Sequence, residues 1–242
     1  MIIFRDVHKS FEKNQVLQGL NMEIQNGETL TILGPSGSGK TVILKLMIGI
    51  LKPDNGEIII DDQNIINFNA SQLMHLRKKF GFVFQWGALL DSMNVEENIG
   101  LFFRMHTKLS NQEIQQRIKQ SLEMVDLYNI EHLQPEELSG GMLKRVAIAR
   151  AIAIQPQYLI YDEPTTGLDP KTCQTINSLI VRMQKKLNVT SVVVTHDIES
   201  AIKVSDRIAM LYRGKIVTVE KSDQIYQSDN EIIKKFLEGE IF

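Results

Sequence analysis

Eight consecutive residues, Gly34, Pro35, Ser36, Gly37, Ser38, Gly39, Lys40 and Thr41, follow directly on the apolar run TLTIL and lead through Val42 into a helix-like segment. Glycines let successive backbone N–H groups turn toward one anion, and a helix start adds the positive end of its dipole. In that setting Lys40 reaches the β and γ phosphates of a nucleotide, and the Thr41 hydroxyl is placed to hold Mg²⁺. Far downstream, YLIYDEP carries Asp162 and Glu163 to the end of an apolar strand. Asp162 suits the shell of a divalent cation, and Glu163 is placed to orient and polarise a water for attack on the γ-phosphate. Gln85 closes GFVFQ and His196 closes SVVVTH. If these runs are parallel strands of one open sheet, their carboxyl ends converge on one crevice. Gln85 then gains access to the cation or the attacking water, and His196 to the γ-phosphate. Taken singly, a strand-end histidine is more often structural, and only the constellation favours the second reading.

A second anion cradle lies in ELSGGMLKR, residues 137–145. Ser139, Gly140 and Gly141 again combine small residues, a hydroxyl and a helix start, now without the lysine. The phosphates of one nucleotide do not fill two helix starts on one sheet edge. Two chains arranged head to tail resolve the surplus, because each nucleotide is then held by one subunit's Gly-rich loop and the other's Ser-Gly-Gly turn. That contact is self-complementary under two-fold symmetry. Such a pair would close on the γ-phosphate and open on hydrolysis. Met142, beside the turn, reads most simply as a packing residue, since Met fills irregular gaps.

The elements that must position these groups are legible in the periodicity. Strands are expected at MIIFRDV, LQGLNMEI and TLTILG, with a turn at Asn26-Gly27. A deeply buried helix is expected from Gly39 to about Ile50, apolar nearly all round, then a turn at PDNG and a strand at EIIID. Asn94 with Glu97 and Ser110 with Glu113 mark two capped helix starts. After Leu138 the pattern alternates: helix 140–155, strand 158–161, helix 170–187, strand 190–195, a short helix after His196, and a hairpin around Arg213-Gly214. Alternation of that kind argues for a parallel sheet with crossover helices. The whole reads as one α/β domain over residues 1–242 with a helical insertion at roughly 86–155, without repeats or linkers.

Composition excludes several classes. The formal charge is −2, from 27 basic and 29 acidic residues of interspersed sign, so no overall basic field points to nucleic acid. The run Arg77-Lys78-Lys79 reads as a solvated helix face. A single cysteine, Cys173, excludes an intramolecular disulfide and a cysteine-based metal cluster, suits a reducing compartment, and reads as a buried or half-buried helix thiol. The start of the chain has no secretory pattern, and no apolar run approaches the ~20 residues that cross a bilayer. Any membrane role is therefore expected to come through a partner.

In order and approximate spacing, GPSGSGKT, Gln85, LSGG, YDEP, GLD and His196 together resemble the ATP-binding-cassette ATPases, over essentially the whole chain. The resemblance implies a P-loop NTPase fold: a mainly parallel sheet core, an N-terminal antiparallel β subdomain and a helical insertion carrying the signature turn. It implies ATP and Mg²⁺ as ligands and an ATP-dependent homodimer. Phe11 takes the place of the adenine-stacking aromatic, and Gln85 that of the coupling-loop glutamine. Ser139, Gly140 and Gly141 stand at the signature turn, Glu163 at the catalytic base, Asp169 at the dimer-contact aspartate and His196 at the γ-phosphate switch. The family's usual signature has Gln where this chain has Met142. LSGGM, the following KR and ARAIA, and FQWGALLDSMNVEENI are similar to the MlaF-like ATPases of Mla and Mce phospholipid-transport systems. That subgroup implies an MlaE-like permease, an Mce-domain lipid-binding protein, room for a small regulatory subunit, and a peripheral place on the inner face of the bacterial cytoplasmic membrane.

Leu89, Leu90, Leu101, Phe102 and Phe103 would then line a groove for a permease helix or pack a core. Some proteins of that subgroup continue into a tail that embraces the neighbouring subunit, and the residues after KKFLEG leave such a clasp open. An importer of another small solute is the competing reading. A DNA-maintenance ATPase lacks support, because the chain shows no coiled-coil heptads, zinc-binding cysteines or basic stripe.

Overall fold

A computed structural model describes residues 1–241; residue 242, the last of the expected domain, lies outside the described residues. In chain order the strands are β1 (Ile2–Phe11), β2 (Asn14–Ile24), β3 (Thr29–Leu33), β4 (Asn55–Ile60), β5 (Gln63–Asn64), β6 (Phe80–Val83), β7 (Tyr158–Asp162), β8 (Thr190–Thr195), β9 (Arg207–Tyr212) and β10 (Lys215–Lys221). The helices are α1 (Lys40–Met47), α2 (Ala70–Arg77), α3 (Val95–His106), α4 (Asn111–Met124), α5 (Gly140–Ala153), α6 (Pro170–Leu187), α7 (Ile198–Val204) and α8 (Glu231–Leu237).

Two sheets result, with the mainly parallel core and antiparallel N-terminal sheet that the sequence implies. The antiparallel one runs β2-β1-β4-β5, the other β10-β9-β3-β8-β7-β6. Neighbours in the larger sheet are parallel except for the β9–β10 hairpin, which turns through Arg213 and Gly214, both at positive φ. The Asn26-Gly27 turn hands the chain from one sheet to the other. A bond from Gln18 N–H to the Gly214 carbonyl, 2.9 Å, ties the sheets together.

Period-two alternation along the central strands sorts their side chains onto two faces. On β7, Tyr158 and Ile160 join the core shared with α1 and the antiparallel sheet. Leu159 and Tyr161 join the core built with α3, α4, α5 and α6. On β8, Val193 packs with the helices while Val192 and Val194 pack on the opposite side. Both expected capping boxes close: Asn94 and Glu97 start α3, and Ser110 and Glu113 start α4.

Four expectations change. Helix α1 stops at Met47, because Gly49 turns left-handed (φ 65°), so Ile50 lies outside the helix and is 57% exposed rather than buried. Strand β6 stops at Val83, leaving Phe84 and Gln85 in the turn beyond it. Of Arg77-Lys78-Lys79 only Arg77 is helical, and the run is not simply solvated. Arg77 donates to the Ile48 and Gly49 carbonyls at 3.0 and 2.8 Å, and Lys79 meets Asp61 at 2.6 Å. The groove candidates divide: Phe103 is core, Leu101 and Phe102 are half-buried, and Leu90 is exposed. Helix α8 and strand β5 have no counterpart among the expected elements, and only the end of α2 has one, in the helix face expected at Arg77. Cys173 is a half-buried thiol on α6, as its composition suggested.

Helix α5 lies so close to β6 that a Cβ on Gly81 would collide with the Ala151 carbonyl and sit 2.8 Å from Leu159 Cδ2. Overpacking of that kind costs about 1–3 kcal/mol. Gly81→Ala should lower the urea midpoint accordingly; an unchanged midpoint would mean that α5 can move away without loss.

Candidate functional site

Register explains why distant sequence segments meet. In the parallel sheet Leu33 pairs with Thr195, and Asp162 pairs with Val194. The carboxyl ends of β3, β8 and β7 therefore lie level, which places the Gly34–Thr41 loop, His196 and the Asp162-Glu163 pair along one edge.

The loop itself is shaped by glycine. Gly39, the residue before α1, has φ 106°, and a Cβ there would stand 2.8 Å from Val16 Cγ1. Lys40 follows at the first helical position, only 6% exposed. Its ammonium donates to the carbonyls of Gly34 (2.8 Å) and Pro35 (2.9 Å) and stands 3.6 Å from Glu163 Oε1. Burial lowers the Lys40 pKa, opposed by the charges of Glu163 and Asp162. Asp162 shifts upward, first through burial and then through the neighbouring Glu163 carboxylate.

Glu163 adopts a left-handed backbone (φ 47°), which is costly for a residue with a Cβ and clusters at functional sites. Its carboxylate is held on several sides. Thr166 Oγ1 donates at 3.2 Å, Thr195 Oγ1 donates at 3.3 Å, and His196 Nδ1 lies 3.0 Å away. Thr166 and Thr195 were not singled out from the sequence, because a hydroxyl beside a carboxylate leaves no spacing signature.

A cleft of about 380 Å³ opens here. It is lined by Phe11, Val16, Ser36, Gly37, Gly39, Lys40, Thr41, Val42, Gln85, Glu163 and His196. Phe11 is 42% exposed at its rim, with Lys9 Nζ 5.4 Å from the ring centre. A polar pocket of about 470 Å³, lined by Asn26, Tyr158 and Thr190 among others, contains none of the candidate residues.

The donor set fits Mg²⁺ bound together with phosphate. Thr41 Oγ1 approaches Asp162 Oδ1 and Oδ2 at 3.4 and 3.5 Å. Among the described residues no cluster of three or more His, Cys, Asp or Glu could hold a metal by itself. Magnesium commonly takes one or two protein carboxylates and fills its shell with water and substrate phosphate. The buried Ser38 Oγ has no hydrogen-bond partner among the described residues. An anion in the loop is a natural acceptor for such a hydroxyl.

Ser139, Gly140 and Gly141 do not line this cleft. Ser139 caps α5, its Oγ accepting from the Met142 N–H at 3.3 Å, and both Ser139 and Gly140 are exposed. Met142 is half-buried against the helical core, which matches the packing reading. Asp169 caps α6 by accepting from the Lys171 and Thr172 N–H groups, each at 3.1 Å. Bonding to the Thr172 hydroxyl and backbone holds its carboxyl below the usual range.

Comparison with known proteins agrees with this architecture. The family described as ABC transporter matches residues 17–166. The intermembrane phospholipid transport system ATP-binding protein MlaF of Haemophilus influenzae is 40% identical over 93% of this chain and 85% of its own length. The probable ribonucleotide transport ATP-binding protein mkl of Mycobacterium leprae is 38% identical over 96% of this chain and 67% of its own. Among solved structures, a dimeric ATP-binding cassette in a post-hydrolysis state with ADP and Pi superposes with a TM-score of 0.83 at 35% identity, covering 92% of this chain and 99% of that one.

Lys40 is a buried cation that lines the cleft, 3.6 Å from Glu163. Lys40→Met should weaken ATP binding at least tenfold, about 1.4 kcal/mol, in a fluorescent-nucleotide titration. Unaltered affinity would remove Lys40 from the phosphate site.

Proposed function

The chain belongs to the ABC transporter family, as an ATP-hydrolysing subunit, and from that premise we propose that it powers phospholipid movement between bacterial membranes as one of two copies clamping ATP between them. Residues 1–242 act as one nucleotide-binding domain, with residues of about 86–155 as the helical subdomain that presents the Ser139 turn.

One spatial observation carries the dimer reading. The cleft gathers Lys40, Thr41, Gln85, Glu163 and His196, while the second cradle stands exposed elsewhere. Free N–H groups, a hydroxyl and a helix start suit the γ-phosphate of a nucleotide held by another copy. Asp169, exposed at the adjoining start of α6, would contact that copy.

In the proposed reaction the Gly34–Thr41 loop and Val42 cradle the phosphates, and Phe11 stacks on the base. Lys40 exchanges its backbone carbonyls for phosphate oxygens, which frees Glu163 from the ion pair. Held by Thr166 and Thr195, Glu163 accepts a proton from the attacking water, a role worth about 10²–10⁴-fold in rate. His196 donates toward the γ-phosphate, and Gln85 positions the water. Mg²⁺, held by Thr41, Asp162 and Gln85, would neutralise charge on the transferred phosphoryl group. Hydrolysis removes the group that both protomers grip, so they part.

The similarity to MlaF, together with Met142 in the signature, supports phospholipid as cargo. The partners would then be an MlaE-like permease, an Mce-domain lipid-binding protein and possible accessory regulation by a small subunit, with no nucleic acid. No helix among the described residues is long and apolar enough to cross a membrane. Attachment to the inner face of the cytoplasmic membrane would run through the permease. Comparable similarity to mkl, named for ribonucleotide transport, favours solute import as the second reading.

Glu163→Gln should bind ATP without turnover and elute as an ATP-dependent dimer in gel filtration. Adding Ser139→Arg should return it to the monomer position; a double variant that still dimerises would refute the shared site. For cargo, purification from native membranes should recover a permease, an Mce-domain protein and phospholipid. Recovery of a permease with a solute-binding protein and no lipid enrichment would favour the importer.

A further inference from the structure

Three cations of helix α5 meet backbone oxygens, and two of them, Lys144 and Arg150, hold the loop that follows β6. Lys144, on the same helix as the Ser139 turn, is 5% exposed, and its Nζ donates to the main-chain carbonyl of Gln85. Arg150 donates from Nη1 to the Ala88 carbonyl at 2.6 Å and from Nη2 to the Gly87 carbonyl at 2.7 Å. Gly87 (φ 76°) and Ala88 (φ 46°) are both left-handed, a sharp bend that a residue with a Cβ adopts only under constraint. Both cations are shifted below their ordinary pKa by burial, and at Lys144 the charges of Glu163 and Asp162 work against that shift. An apolar side chain of similar length would fill the Lys144 position without desolvating a charge. What the ammonium adds is a bond to the one residue of this loop whose side chain lines the nucleotide cleft.

We propose that Lys144 is a positioning residue that locks the Gln85 turn to α5, so that movement of the Ser139 turn is transmitted to Gln85 and to the protomer's own ATP. Arg150 fixes the far side of the same turn. The inference rests on the proposed reading, in which Gln85 serves this protomer's nucleotide and Ser139 the partner's. Lys144 then makes each protomer's grip on its neighbour's nucleotide sensible at its own site. From the sequence the signal is a lysine sharing a helical face with the buried Ala147, Ile148 and Ala151, a position where a solvated charge is out of place.

Trp86 supplies the reporter. It is the only tryptophan in the chain, follows Gln85, is 73% exposed, and its ring lies 3.5 Å from where a Cβ on Gly167 would stand. The experiment compares the full chain with its Lys144→Met and Lys144→Gln variants, measuring ATP affinity, ATP-induced change in Trp86 emission, and phosphate release with Mg²⁺. Lys144→Met should keep ATP affinity within about twofold, lose the emission change and lose at least about fivefold in kcat. Lys144→Gln, which retains a donor for the carbonyl, should recover both to within about threefold. A normal emission change and kcat in Lys144→Met would overturn the inference, as would a Lys144→Gln variant that binds ATP yet lacks the response. If Lys144→Met fails to fold, Lys144→Gln alone decides by the same criterion. Absence of any ATP-induced change in the unaltered protein would sink the reading of Gln85 as a nucleotide contact and this inference with it; a change that persists in Lys144→Met would sink only the inference.

Discussion

Everything in this molecule is arranged around a buried ammonium beside two buried carboxylates. Lys40, Asp162 and Glu163 are each less than a tenth exposed, at the edge of a sheet whose central strands are mainly apolar. Charges so placed are expensive unless partnered. Lys40 meets that cost with two backbone carbonyls and Glu163, and Glu163 with two threonine hydroxyls and His196. The arrangement gives each charged group of the pair a partner of its own.

Holding that cluster level is the work of the parallel sheet. β3, β8 and β7 are adjacent and in register, so three loops from widely separated segments emerge side by side. Helices pack on both faces, which explains why these strands read as continuous apolar runs. The two faces also divide labour. One supports α1 and the antiparallel sheet, from which Phe11 reaches the cleft. The other supports α3, α4, α5 and α6, and with them the exposed Ser139 turn and Asp169.

The turn after β6 joins these halves. Gln85 reaches the cleft with its side chain and α5 with its carbonyl, while Trp86 leans toward Gly167. A short strand followed by a bent, cation-held loop makes Gln85 a residue shared by the cleft and the helical layer.

Local chemistry was legible in the residues themselves. The glycines before Lys40, the caps of α3 and α4, the spans of α6 and β8 and the Arg213-Gly214 turn all follow from interactions within a few positions of chain. The motif set identified the family, because each motif performs one local task that few other residue patterns perform. Misreadings occurred where a single residue stopped an element early and where distant parts of the chain decide. Gly49 ended α1 before Ile50, and β6 stopped before Gln85. Arg77 and Lys79 found partners on other elements instead of solvent. Thr195 and Arg150 acquired meaning only when folding brought a carboxylate or a bent loop within hydrogen-bond distance. Sequence determines which groups can bind phosphate and which segments can form strands or helices, since both are properties of neighbouring residues. Only the tertiary structure decides who faces whom, because that depends on sheet order, register and packing between residues that the chain itself keeps far apart.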